Sequence, residues 1–123
     1  IAALNCVKNS FNSYTLDRLA QAGALASVED EAYFQENRQK VMATRARTAA
    51  ALEQMGFTVC PSQANFLFAS HPDHSGKELL DGLREKGVLV RWWNQPRISN
   101  YLRISVGTDA EMDVLLSALR ELL

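Results

Sequence analysis

Residues 88–108 read VLVRWWNQPRISNYLRISVGT, and the reading of this stretch decides the fold. From 101 to 106, Leu102, Ile104 and Val106 alternate with Tyr101, Arg103 and Ser105. A period of two is that of a strand, with one aliphatic face buried and Arg103 on the other. Residues 88–93 are apolar except at Arg91, the pattern of a central strand covered on both faces. Two arginines on neighbouring strands present planar, permanently charged forks that match a carboxylate or a phosphate. An arginine within a strand pairs more often with an acid of its own domain than with a ligand, because a buried charge needs a partner. Pattern alone leaves both readings open.

Downstream, Thr108-x-x-Glu111 is a capping-box signature, and Met112, Leu115, Leu116, Leu119 and Leu122 give a terminal amphipathic helix. Upstream, Ser75-x-x-Glu78 opens another helix, with Leu79, Leu80 and Leu83 on its apolar face and Gly87 at its end. Residues 57–60 and 65–69 are short and rich in aromatic or β-branched side chains, with Pro61, Ser62 and Gln63 between them. They predict two adjacent strands joined as a hairpin or near-hairpin. Ser27 and Asp30 form an S-x-x-D start for a long polar helix that runs to about Met55, buries Phe34, Val41, Ala49 and Leu52, and is closed by Gly56. Residues 14–26 predict a helix whose small side chains, among them Ala20, Gly23 and Ala24, suit close packing. Residues 1–12 have no clear period and read as an arm, or as a helix that packs on something else. The order helix, helix, strand, strand, helix, strand, strand, helix predicts an α+β fold, a small mixed or antiparallel sheet of about four strands covered by helices.

With 123 residues, 47% hydrophobic and 22% charged, the chain fits one globular domain. Its 13 basic and 14 acidic side chains are interspersed, and the formal charge of -1 excludes bulk attraction to nucleic acid or to an anionic membrane. No apolar run approaches the length of a membrane span, and Lys8, Asp17 and Arg18 stand where a signal peptide is apolar, so a cytoplasmic protein is expected. Cys6 and Cys60 lie far apart and match no metal spacing, which fits free thiols. The chain opens on Ile1 rather than Met, so part of a longer protein is expected.

Candidate chemistry is sparse. His71-Pro72-Asp73-His74 invites a metal reading, yet the spacing matches no zinc signature and the residues precede a helix cap, so a solvated loop is expected. Trp92 and Trp93 could stack on a ligand ring or pack at a strand end. Arg38, Arg45 and Arg47 follow Glu29, Asp30, Glu31 and Glu36 as the wet face of the long helix, acids first and bases later as the macrodipole favours. No Ser/His/Asp set, carboxylate pair or phosphate loop can be assembled, and no catalytic or metal-ligating residue is assigned. The residues by themselves reach a small α/β domain with a candidate anion site.

Three segments carry a resemblance. S-Q-A-N-F-L-F (62–68), G-V-L-V-R (87–91) and Y-L-R-I-S-V-G-T (101–108), followed by an acidic residue and a leucine-rich helix, resemble the C-terminal part of the fold type I pyridoxal-phosphate-dependent aminotransferases. Within that group the likeness is greatest to the histidinol-phosphate aminotransferases. N-S-Y-T-L-D-R-L-A-Q-A (12–22) is similar to the segment that leads from their large domain into their small one. The likeness spans nearly the whole chain, and three motifs in the right order are far more specific than one. Thr15 departs from the many relatives that carry proline there, which bears on a helix start rather than on chemistry.

The resemblance implies that residues 1–27 lead out of a large domain and that 28–123 form the small C-terminal domain. Arg103 matches the arginine that grips the substrate's anionic end, Arg91 matches a second arginine that helps hold a phosphate there, and Asn65 matches the asparagine of the family's N-F motif near the active site. Two guanidiniums suit a doubly charged phosphate, where one fork serves a carboxylate. The resemblance further implies pyridoxal phosphate as the cofactor of the complete enzyme, with histidinol phosphate and 2-oxoglutarate or glutamate as small-molecule substrates. It implies transamination in histidine biosynthesis by a homodimer, with neither nucleic acid nor membrane as partner. The family keeps its Schiff-base lysine, the acidic partner of the pyridine nitrogen and the phosphate cup in the large domain. Lys8, Lys40, Lys77 and Lys86 lie outside its lysine motif, so this chain alone is expected to be inactive and to bind no cofactor stably. Rivals sharing the Arg103 motif are an aromatic aminotransferase and a threonine-phosphate decarboxylase; a rival of another class is a non-catalytic anion-binding module.

Overall fold

The described residues, 1–10 and 16–123 of a computed structural model, form α1 (Ala2–Ser10), α2 (Arg18–Glu29), α3 (Glu31–Gln54), β1 (Thr58–Val59), β2 (Phe66–Ser70), α4 (Gly76–Glu85), β3 (Tyr101–Ser105) and α5 (Asp109–Leu122). The expected helix start at Tyr14 and the departure at Thr15 lie outside the described residues. Two compact units divide the chain, 1–36 and 37–123.

In the first unit, the Asp17 carboxylate accepts the Ala20 N–H at 2.8 Å and so caps α2. The expected helix start at Ser27 is not used. The Ser27 hydroxyl instead donates to the Gly23 carbonyl at 2.7 Å inside α2, the back-bonding that serine adopts within a helix. Asp30 makes the break, accepting the Tyr33 N–H at 3.2 Å at the head of α3. Of the two readings of residues 1–12, an arm or a helix, the described part holds a helix, α1. Neither α1 nor α2 buries any residue, with Leu4 74%, Leu19 85% and Val28 78% exposed. Phe34, expected in a buried stripe, is 53% exposed.

In the second unit, α3 buries Thr44, Thr48 and Leu52. Two threonines are tolerated there because both hydroxyls are satisfied: Thr48 donates to the Thr44 carbonyl and Thr44 to Asp109, each at 2.8 Å. Gly56, at φ +90°, turns the chain left-handed out of α3, as expected of a C-cap. Helices α4 and α5 both open with complete capping boxes, Ser75 with Glu78 and Thr108 with Glu111.

The sheet is antiparallel, in the order β1-β2-β3, and its first pairing is the expected hairpin. Leu67, Ala69, Leu102 and Ile104 bury one face against Leu52 of α3, Leu79 and Leu83 of α4, and Leu115 and Leu119 of α5. Each fully buried leucine contributes about 1.5–3 kcal/mol of transfer free energy. The fold class is the α+β expected. The fourth strand, however, shrinks to one residue: Arg91 forms an isolated bridge with Arg103 at the free edge of β3. Residues 88–93 are not a central strand, because only one side of the run meets the core. Val88 and Val90 pack on it, while Leu89 is 80% exposed.

Candidate functional site

Alternation along β2 and β3 leaves Phe66, Phe68, Tyr101 and Arg103 half-buried on the face opposite the core. Phe68 stands opposite Arg103 in the register, and Arg103 stands opposite Arg91. The two arginines exchange both backbone hydrogen bonds, at 3.0 and 2.8 Å. Directly opposed residues of an antiparallel pair project from the same face, so Phe68, Arg103 and Arg91 form a row across the sheet.

Among the described residues neither guanidinium of this row pairs with a carboxylate, and the Arg103 Nε is buried without a hydrogen-bond partner. Two other arginines of the unit are committed. Arg47 is held by Asp113 at 2.5 Å and Asp109 at 3.2 Å, and Arg45 donates to the Ala64 carbonyl at 2.8 Å. Aromatic faces support the row instead of acids. The Trp93 ring centre lies 5.5 Å from the guanidinium carbon of Arg91 and 5.6 Å from that of Arg103, and the Phe66 ring lies 5.5 Å from Arg103. Phe68 and Tyr101 stack at 4.6 Å beside them. Each cation–π contact is worth about 0.5–1 kcal/mol when exposed and about 2 when desolvated. A guanidinium supported on its flat face keeps its N–H edge for an anion.

The loop that carries Trp93 is fastened at several points. The Trp92 indole N–H donates to the Ser99 carbonyl at 2.7 Å. Asn100 accepts the Gly76 N–H at 3.2 Å and donates to the His71 carbonyl at 3.1 Å. Gly76 belongs at that approach, since a Cβ there would sit 3.0 Å from the Asn100 carbonyl carbon. His71 is not the solvated loop residue expected but is 8% exposed. Its Nε2 lies 3.1 Å from the Met55 carbonyl, and its Nδ1 accepts the Asp73 N–H at 3.2 Å. That pairing selects the neutral tautomer with the proton on Nε2. Phe57 and His74 meet the ring edge-on, both at 5.0 Å. Among the described residues no group of three or more histidine, cysteine or acidic side chains is placed to hold a metal.

Asn65 is exposed one residue ahead of β2, where its backbone carbonyl accepts the Val106 N–H at 2.9 Å. No contact among the described residues joins its side chain to the arginines. The carboxyls with perturbed acidity lie at helix caps, away from the row. Backbone N–H donation holds Glu78 (from Ser75) and Glu111 (from Thr108) below the usual glutamate value, and the Thr44 hydroxyl with Arg47 does the same for Asp109. Asp113 in turn raises Arg47.

Lys77 pairs with Asp81, and Lys86 with Glu121 at 2.5 Å. Lys40 lines a groove of about 510 Å³ beside Asp109 and Glu111. Lys8 lies on exposed α1. Among the described residues no helix is long and apolar enough to cross a membrane.

The sequence of this chain matches a known class of enzymes. The chain belongs to the family of aminotransferases of class I and II, whose model matches residues 1–119. It is similar to histidinol-phosphate aminotransferase 2 of Rhizobium meliloti, 55% identical over 123 residues, 100% of this chain and 35% of that protein. It is likewise similar to histidinol-phosphate aminotransferase 2 of Thiobacillus denitrificans, 57% identical over 99% of this chain and 34% of that one. The solved structure of histidinol-phosphate aminotransferase from Sinorhizobium meliloti in complex with pyridoxal-5'-phosphate superposes with a TM-score of 0.80 at 26% identity, over 98% of this chain and 34% of that chain. The chain thus spans about a third of the length of the curated relatives it matches.

Two contributions escaped sequence reasoning. Trp93 was left open between packing and stacking on a ligand, and its contact with both arginines is neither. Its spacing of two from Arg91 was the available signal, since i and i+2 share a face in extended chain. The clasp of His71 and Asn100 carries no local signal, because the two lie 29 residues apart.

Proposed function

We propose that this chain is the small C-terminal domain of a histidinol-phosphate aminotransferase and that it holds the anionic end of the substrate. Residues 28–123 form that domain, and residues 1–27 lead into it from a large domain that carries the cofactor. One observation bears most of the weight: Arg91 and Arg103 share a sheet face, without acids to neutralise them among the described residues. The names of relatives more than half identical over nearly the whole chain support the same reading. In the complete enzyme, pyridoxal phosphate supplies the electron sink for exchanging an amino group between histidinol phosphate and 2-oxoglutarate, a step of histidine biosynthesis in the cytoplasm. The enzyme works as a homodimer on small molecules, with neither nucleic acid nor membrane as partner. The part of this chain is to bind the phosphate through Arg91 and Arg103, with Asn65 facing the substrate, and to close over it so that the amine is oriented and water is kept out.

The test uses the full-length protein, with histidinol phosphate competing against phenylalanine. Histidinol phosphate is expected to win on kcat/KM by on the order of 100-fold, because paired guanidiniums left without their anion penalise a substrate that lacks it. A preference for phenylalanine, or release of carbon dioxide from threonine phosphate, would overturn the reading.

A further inference from the structure

Two guanidiniums side by side repel one another before any anion arrives, and no carboxylate among the described residues offsets that repulsion. What both contact is one indole, with the centre of the Trp93 ring 5.5 Å from Arg91 and 5.6 Å from Arg103. We propose that Trp93 is a positioning residue that fixes Arg91 beside Arg103 as a single dianion-binding unit, so that the site favours a phosphate monoester over a carboxylate. This rests on the reading of the two arginines as the substrate grip.

The two arginines depend on Trp93 unequally. Arg103 is half-buried, has a second aromatic support in Phe66 at 5.5 Å, and is flanked by Phe68 across the strand. Arg91 is exposed, and among the described residues Trp93 is its one aromatic support. The negative face of an indole stabilises a cation and restricts the rotamers of the long side chain that carries it. Trp93 can do this because its loop is anchored on both sides, through Trp92 to Ser99 and through Asn100 to His71 and Gly76. Removing the ring therefore releases Arg91 while Arg103 stays in place. A dianion that uses both forks loses more than a carboxylate that uses one.

The measurement is steady-state kinetics of the full-length enzyme carrying Trp93→Leu or Trp93→Phe, with Arg91→Ala and Arg103→Ala alongside. Trp93→Leu is expected to raise KM for histidinol phosphate, and the inhibition constant of inorganic phosphate, about 5- to 20-fold. Values of kcat and of KM for 2-oxoglutarate should stay within about threefold, and Trp93→Phe, which keeps a ring, should restore most of the loss. Should Trp93→Leu fail to fold, Trp93→Met supplies the same comparison with a bulky side chain that lacks a π face. Equal losses on both substrates, or no change on either, would overturn the proposal. If the arginine variants weaken phosphate binding while the Trp93 variants do not, this inference alone fails. If neither set does, the reading of the arginines fails with it.

Discussion

At the scale of single residues, the chemistry turns on side chains whose usual partners are absent. Arg103 stands half-buried on a sheet face, and its Nε meets no acceptor among the described residues, whereas Arg47 of the same unit is held by two aspartates. Gly56 shows the opposite condition, a position with no spare room. Its φ is +90°, and a Cβ there would sit 3.0 Å from Nε2 of His71, which is itself held by the Met55 carbonyl. Gly56→Ala is therefore expected to lower stability by about 1–3 kcal/mol, measured as a shift of the urea midpoint. A variant as stable as the parent would contradict the left-handed turn. Arg103 was legible in the sequence because a period-two pattern places it opposite Leu102, Ile104 and Val106. The place of Trp93 was not, because the loop that carries it is fastened through Trp92 to Ser99 and through Asn100 to His71 and Gly76.

At the scale of elements, capping chemistry was readable, and so was burial in β3, α4 and α5, though not along α3. The boxes at Ser75 and Thr108 span four residues each and stand where the sequence put them. The start proposed at Ser27 fell to Asp30, since a serine can also satisfy itself inside a helix. The buried stripe of α3 holds Thr44 and Thr48 because Asp109, 65 residues away from Thr44, takes its hydroxyl, a partner no local window reveals. The apolar run at 88–93 looked like a central strand because apolarity was read as double coverage, while only the alternate residues Val88, Val90 and Trp92 meet the core. The boxes also set a pH response. Glu111 titrates below its ordinary 4.5 in the folded chain because the Thr108 backbone N–H donates to its carboxylate. A depressed folded value means that the ionised box stabilises the fold above the unfolded value and ceases to do so as pH falls through the folded one. Glu111→Gln should accordingly lower the melting temperature at neutral pH, with the difference shrinking as the pH drops below 4.5. A difference independent of pH would contradict the charged cap.

At the scale of the whole molecule, the chain spans about a third of its relatives, and its first unit leaves Leu4, Leu19 and Val28 largely uncovered. The class of fold and the family could be read from three short motifs, because those motifs encode the sheet face on which the proposed chemistry depends. The claim on which the account stands is that Arg91 and Arg103 act together on a phosphate. Its most direct test is the KM of full-length Arg91→Ala for histidinol phosphate and for 2-oxoglutarate. The account predicts a rise of about 10- to 100-fold for the phosphate substrate and less than about threefold for the dicarboxylate. Equal losses on the two would contradict it.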